Sequence, residues 1–166
     1  MSLIIPAIVS LFMLIADQVT KAAVVAYFAG SAREVSVIPG VLSFCHVEND
    51  GAGFSILSGN TWFLIIFTTL AMALVGYMLL SRKFKSKLSD WGFMLILSGG
   101  LGNFIDRIAR KGLVVDFIKT DFMDFPVFNV ADICVTIGAA FIMLYFVMDT
   151  IKEYKLKKGS GDNGEA

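Results

Sequence analysis

Four long apolar runs, separated by polar links of unequal length, set the pattern of this chain. Met1 to Phe28 carries two charges, Asp17 and Lys21, both in its second half. Thr61 to Ser81 carries none, Trp91 to Ile105 is uncharged and ends on Asp106-Arg107, and Phe125 to Met148 carries only Asp132. A helix needs roughly 20 mostly apolar residues to cross the hydrocarbon layer of a membrane. The runs therefore predict four spanning helices, over about 3–28, 61–81, 90–108 and 127–149. The link REVSVIPGVLSFCHVENDGAGF has a different texture, with β-branched and aromatic residues in partial alternation, interrupted by Pro39-Gly40, Gly51 and Gly53. It predicts short strands with a turn over about 33–57.

Composition agrees with a second, apolar solvent. The 166 residues are 57% hydrophobic and 17% charged, against about 45–50% and about 25% in an average soluble domain. That length suits one domain. Residues 1–158 read as a single integral membrane unit, and GSGDNGEA (159–166) as a solvated, disordered tail. Fourteen basic and fourteen acidic residues cancel, which argues against a nucleic-acid partner. Cys45 and Cys134 are too few for a disulfide scaffold and read as ordinary small residues. The first run has no basic stretch before it and no polar protein after it, so a retained helix is expected rather than a signal peptide.

Lysine and arginine in short links orient a membrane protein. Arg82, Lys83, Lys85 and Lys87 crowd the second link, and Lys152, Lys155, Lys157 and Lys158 follow the fourth run. With four spans both clusters lie on the cytoplasmic side, together with both termini. Segments 29–60 and 108–127 then face outward.

Polar residues in spanning segments need a reason, since each charge costs about 2.5–3.5 kcal/mol at a helix centre. Under this topology Asp17, Lys21, Asp106, Arg107 and Asp132 all lie toward the outer ends of their helices. Asp116, in the link between the third and fourth helices, joins them from outside, as do Asn49, Asn103 and Asn129. The pattern predicts one site at the outer interface. Two aspartates sharing a proton are sufficient to hydrolyse a peptide bond: one activates water and the other protonates the carbonyl oxygen.

Other chemistries fit less well. One histidine, His46, and no HExxH or CxxC argue against zinc. Lys21 is a candidate base for a serine nucleophile, but no nearby serine recommends itself. GGLGN lacks the Lys-Ser/Thr ending of a phosphate-binding loop. No cofactor is expected. An ion or proton transporter, with buried acids relaying cations, remains the competing class, and a non-enzymatic binding subunit a third. By itself Asp116 reads equally well as a solvated loop acid, and Asp132 as an acid placed by the helix dipole.

Five segments in order carry a resemblance: DQVTK (17–21), ENDGAGF (48–54), GGLGNFIDR (99–107), VVDF (114–117) and FPVFNVAD (125–132). Over about residues 10–148 the chain resembles the bacterial lipoprotein signal peptidases, also called signal peptidase II. The resemblance implies four transmembrane helices with a small extracytoplasmic β-cradle and a surface helix or loop. It implies an aspartic endopeptidase of the bacterial inner membrane, acting near the outer face. Its substrate would be the signal peptide of a prolipoprotein, cut just before a cysteine that carries diacylglycerol. Asp116 and Asp132 would be the catalytic pair. Asp17, Lys21, Asn49, Gly51, Asn103, Asp106, Arg107 and Asn129 fall on the family's other motif positions. A monomer in contact with membrane lipids is expected.

For these supporting residues the expected roles are specific. Asp17 and Lys21, spaced i,i+4, pair along one face and hold the first helix against the strands. Asp106 and Arg107 form a structural pair, with Arg107 also meeting loop carbonyls or carboxylates. Asn129 caps the fourth helix and orients Asp132, and Asn49 bonds the substrate backbone. Gly99, Gly100 and Gly102 allow close helix packing. Phe122, Phe125 and Phe128 meet lipid or interface. Two departures from the family pattern stand out: Gly53 where alanine is usual, and a slightly long interval from Arg107 to Asp116.

Overall fold

A computed structural model of the chain describes residues 3–30, 34–51, 59–84 and 86–161, with residues 159–161 described by backbone alone. Four helices carry the fold: α1 (Ile4–Phe28), α2 (Thr61–Leu80), α3 (Lys87–Ala109) and α4 (Val130–Gly161). Three strands, β1 (Glu34–Ile38), β2 (Leu42–Asn49) and β3 (Val114–Thr120), form one antiparallel sheet in the order β1-β2-β3.

Burial is inverted relative to a soluble protein. Large apolar side chains such as Phe12 and Ile15 of α1, Phe67 and Leu70 of α2 and Met143 and Val147 of α4 face outward, while Asp17, Lys21, Asp106 and Asn129 are buried. Helices in lipid gain nothing by hiding leucine and much by sheltering charge. α1, α2 and residues Val130–Lys158 of α4 are long and apolar enough to cross a membrane. α3 is more polar and occupies the centre of the bundle, packed against the other three helices. Ser86 starts it, accepting from the Leu88 amide at 3.2 Å, and Arg82 pairs with Asp90 at 3.0 Å across the preceding link.

Close packing of α3 on α4 depends on glycine. A Cβ on Gly99 would run into the Ala131 carbonyl oxygen, and one on Gly102 would stand 2.6 Å from Asp17 Oδ2 and 3.1 Å from the Ala131 Cβ. These absent methyl groups let α1, α3 and the start of α4 meet at one level. Small residues at that contact are what a membrane bundle needs, because backbones can then approach.

β1 and β2 form the expected hairpin, turning through Pro39-Gly40 with Gly40 at φ +73. The third strand was not expected: VVDF lies in β3 rather than in a loop. β3 pairs with β2, with Val47 opposite Asp116 and Asn49 opposite Val114. Val115 and Phe117 pack with Val24 of α1, so the strand is covered on its inner face. Phe128 then bridges to Ile118, which delivers the chain to the start of α4 beside Asp116. The far end of α4 also differs, since the helix runs on to Gly161, past the expected end of the fourth span at about 149. Nothing in KEYKLKK breaks a helix. Gly53 and any surface helix over 52–58 lie outside the described residues.

Candidate active site

Asp116 sits in β3, 3% exposed. Asn49 lies two residues beyond its cross-strand partner Val47, the diagonal position from which a side chain reaches across an antiparallel pair. Its Nδ2 donates to Asp116 Oδ2 at 2.8 Å. The other oxygen, Oδ1, accepts from Asn129 Nδ2 at 2.6 Å. Burial dominates the titration of this carboxyl, raising it from 3.8 to about 6; the amide bonds from Asn49 and Asn129 oppose that shift and the Asp132 charge adds to it.

Asp132 occupies the first turn of α4 and is held by a reciprocal cap. The Asn129 amide donates to Asp132 Oδ2 at 3.0 Å, and the Asp132 amide donates to Asn129 Oδ1, also at 3.0 Å. This is a capping box written with Asn and Asp. Asp132 Oδ1 accepts from Asn103 Nδ2 at 2.8 Å. Asn129 therefore touches both carboxyls, one through its side chain and one through its backbone.

Behind the carboxyls lies a buried ionic cluster. Lys21 is fully enclosed. It donates to Asp17 Oδ2 at 3.0 Å, Asp106 Oδ2 at 2.9 Å and Asn103 Oδ1 at 2.9 Å. Three acceptors for three N–H groups is what a buried ammonium requires to offset its lost hydration. Asp17 Oδ1 also accepts the Ala131 amide at 2.9 Å, placing a carboxylate against the start of α4 where the dipole favours it. Asp106 Oδ2 accepts the Val115 amide at 3.2 Å, which ties α3 to β3 next to Asp116.

Two expected roles change here. Lys21 and Asp17 do pair, but their reach is to α3 and α4 rather than to the β1–β2 hairpin. Asp106 and Arg107 do not pair with each other: consecutive helical residues point about 100° apart. Asp106 takes Lys21 and Arg110, while Arg107 Nη2 donates to the Gly51 carbonyl at 2.9 Å. The Gly51 amide in turn donates to Asn49 Oδ1 at 2.9 Å. Arg107 thus holds the turn that orients Asn49, and Asn49 meets Asp116.

A cavity of about 770 Å³ opens onto these groups. Asn49, Gly51, Asn103, Arg107, Asp116 and Asp132 line its polar end, while α2 and α4 continue its wall with Thr68, Ile133, Thr136 and Ile137. Six acids (Asp17, Glu48, Asp50, Asp106, Asp116, Asp132) against three cations (Lys21, Arg107, Arg110) leave this region formally negative, which favours retention of a proton. A protonated and an ionised carboxyl side by side can act as acid and base on one bond.

Residues 9–148 match the model of the family described as signal peptidase (SPase) II. The chain belongs to the signal peptidase II family. It is 40% identical over 146 residues to a lipoprotein signal peptidase of Lactobacillus johnsonii, covering 88% of this chain and 94% of that one. It is 43% identical over 143 residues to that of Lactococcus lactis subsp. cremoris MG1363, covering 86% and 91%. Two solved structures, each described as a bacterial membrane enzyme obtained by the in meso method, align with it. The one at 2.3 Å resolution gives a TM-score of 0.80 at 35% identity, covering 87% of this chain and 88% of that one. The one at 1.9 Å gives 0.74 at 34%, covering 87% and 93%.

The chain is thus a peptidase and a multi-pass protein of the bacterial inner membrane. All ten site residues singled out from its sequence gather around one region of the bundle. Sequence reading missed Gln18, whose Nε2 bridges Asp17 Oδ2 at 3.0 Å and the Gly102 carbonyl at 3.1 Å. It also missed the backbone donors Ala131 and Val115. Gln18 adjoins Asp17 within DQVTK, the one signal that pointed to it; backbone donors leave none. His46 lies in β2, as expected of a strand residue, and is not part of the cavity wall.

Proposed function

We propose that this peptidase removes the signal peptide of a diacylglyceryl-modified prolipoprotein, cutting just before the lipidated cysteine with Asp116 and Asp132 as its catalytic pair. The observation that carries this reading is Asn129, donating to Asp116 Oδ1 at 2.6 Å from its side chain and to Asp132 Oδ2 at 3.0 Å from its backbone. One small residue thereby ties two carboxyls into a single cavity.

In the reaction, the ionised carboxyl takes a proton from water as the water oxygen attacks the scissile carbonyl carbon. The protonated carboxyl gives its proton to the carbonyl oxygen, forming a neutral tetrahedral diol. Collapse restores the carbonyl, breaks the C–N bond and sends a proton to the cysteine nitrogen. Asn103 and Asn49 each offer one N–H to a carboxyl, on Asp132 and Asp116 respectively, and keep its oxygens directed at the cavity. No step draws on a metal or cofactor.

We read α3 as the fourth span, both termini and the Lys/Arg clusters as cytoplasmic, and the sheet as lying at the outer surface. The signal helix then arrives sideways from lipid and the acyl chains stay in the membrane, as a monomer permits.

The test is cleavage of a purified diacylglyceryl-modified prolipoprotein and its unlipidated form, with EDTA present, by wild type, Asp116→Asn and Asp132→Asn. The expected result is one cut before the lipidated cysteine, unaffected by EDTA and lost in both folded variants. Retained cleavage in either variant would remove that aspartate from the pair. Equal cleavage of the unlipidated form would remove the lipid requirement.

A further inference from the structure

Away from the carboxyls the cavity wall turns apolar along α2 and α4, and two hydroxyl residues interrupt it: Thr68 and Thr136. Among the described residues neither hydroxyl has a hydrogen-bond partner. Thr20 and Thr69 each donate to a backbone carbonyl four residues back at 2.7 Å, whereas Thr150, toward the far end of α4 and away from the cavity wall, shares the open state of Thr68 and Thr136. Self-satisfaction of that kind is the ordinary state of a helical threonine in an apolar setting. Here two threonines without such a bond, one on each of two helices, line the same cavity.

Their position along the helices matters. Thr136 lies one turn past Asp132, about 6 Å along the axis. Thr68 is seven residues from the start of α2 and Thr136 six from the start of α4, so each lies about 9–10 Å inside its helix. Both therefore lie deeper than the carboxyls.

A peptide bond inside a helix has its carbonyl engaged and its faces screened by side chains. A signal helix must unwind at the scissile bond before water can attack. Its last turn then keeps up to four carbonyls without partners, at a depth where lipid offers no donor. An extended segment advances about 3.3 Å per residue. A depth of about 6 Å thus corresponds to about two residues upstream of the cut, where the signal helix ends.

We propose that Thr68 and Thr136 donate their hydroxyls to the freed backbone carbonyls at the end of the substrate's signal helix. They cap that helix from two sides and hold the scissile bond extended between Asp116 and Asp132. The acceptor is backbone, so the capture works for any signal sequence whose side chains fit the wall. This inference rests on the peptidase reading above and extends it to how the substrate is held.

The test uses Thr68→Val, Thr136→Val, the double variant and Thr136→Ser, assayed in detergent with a diacylglyceryl-modified prolipoprotein. Valine keeps the shape and removes the donor. Each single valine variant should raise KM about three- to tenfold, the loss of one neutral hydrogen bond, and the double variant more. The value of kcat should stay within about twofold, because a bond present in both ground and transition states affects KM alone. Thr136→Ser should behave as wild type, and thermal unfolding should be unchanged in all four. A double valine variant with wild-type KM overturns the proposal. So does a serine variant as impaired as Thr136→Val, since shape would then be the cause. Wild type that leaves this substrate intact is a different result, which removes the peptidase reading and this inference with it.

Discussion

Lys21 Nζ donates to Asn103 Oδ1 at 2.9 Å, and this contact decides which way the Asn103 amide faces. An ammonium accepts nothing, so the amide oxygen must turn toward Lys21 and the NH2 away from it, onto Asp132 Oδ1 at 2.8 Å. A buried cation on α1 thereby orients a group on α3 that holds a carboxyl on α4.

Removing that cation should therefore harm both stability and activity. Lys21→Met leaves Asp17 and Asp106 buried without their shared partner, which typically costs about 3–5 kcal/mol. The expected outcome is a large fall in the unfolding temperature in detergent. Adding Asp106→Asn to Lys21→Met should restore part of it. A Lys21→Met protein as stable as wild type would mean the cluster is solvated in the membrane.

Asn129 separates capping from chemistry. Serine still caps a helix well, so Asn129→Ser should keep α4 capped and lose only the stability of the deleted Nδ2 bonds. It deletes the Nδ2 donor to Asp116, however, and a bond to a charged group is worth about 1.5–3 kcal/mol. Activity should fall about 10- to 100-fold in kcat/KM. Equal activity of Asn129→Ser and wild type would reduce Asn129 to a cap.

The Asp116 carboxyl makes stability pH-dependent with a definite sign. Its folded value is raised from 3.8 to about 6, so between those limits the folded state holds more protons than the unfolded one. Stability contributed by this group is present at the acid end and declines as pH rises through about 6. Unfolding temperatures of wild type and Asp116→Asn, followed across that range, should diverge, with only wild type losing this increment. Parallel curves would show that Asp116 titrates normally.

Gly102→Ala tests the packing that brings these helices together. The new methyl would meet Asp17 Oδ2 at 2.6 Å and the Ala131 Cβ at 3.1 Å. Overpacking of this kind typically costs about 1–3 kcal/mol. The variant should unfold earlier and lose activity, because Asp17 must leave the Ala131 amide. Gly76→Ala, where a Cβ meets nothing within 4 Å, is the matched control and should be silent.

Much of this protein was legible in its sequence. Lipid demands long apolar runs and penalises every charge within them, so the four helices and the few polar positions that break them were written in the residue order alone. The i,i+4 spacing of Asp17 and Lys21 and the reciprocal cap of Asn129 and Asp132 are local, and locality is what a linear pattern conveys. Tertiary structure decided the rest. β3 exists because β2 supplies hydrogen bonds from about 70 residues upstream, which VVDF by itself does not announce. The division of Asp106 to Lys21 and Arg107 to Gly51 followed from the 100° between neighbouring helical residues once α1, α3 and the sheet stood around them. Burial of Asp116, and hence its raised titration, needed all of them at once, because desolvation is a property of surroundings assembled from distant parts of the chain.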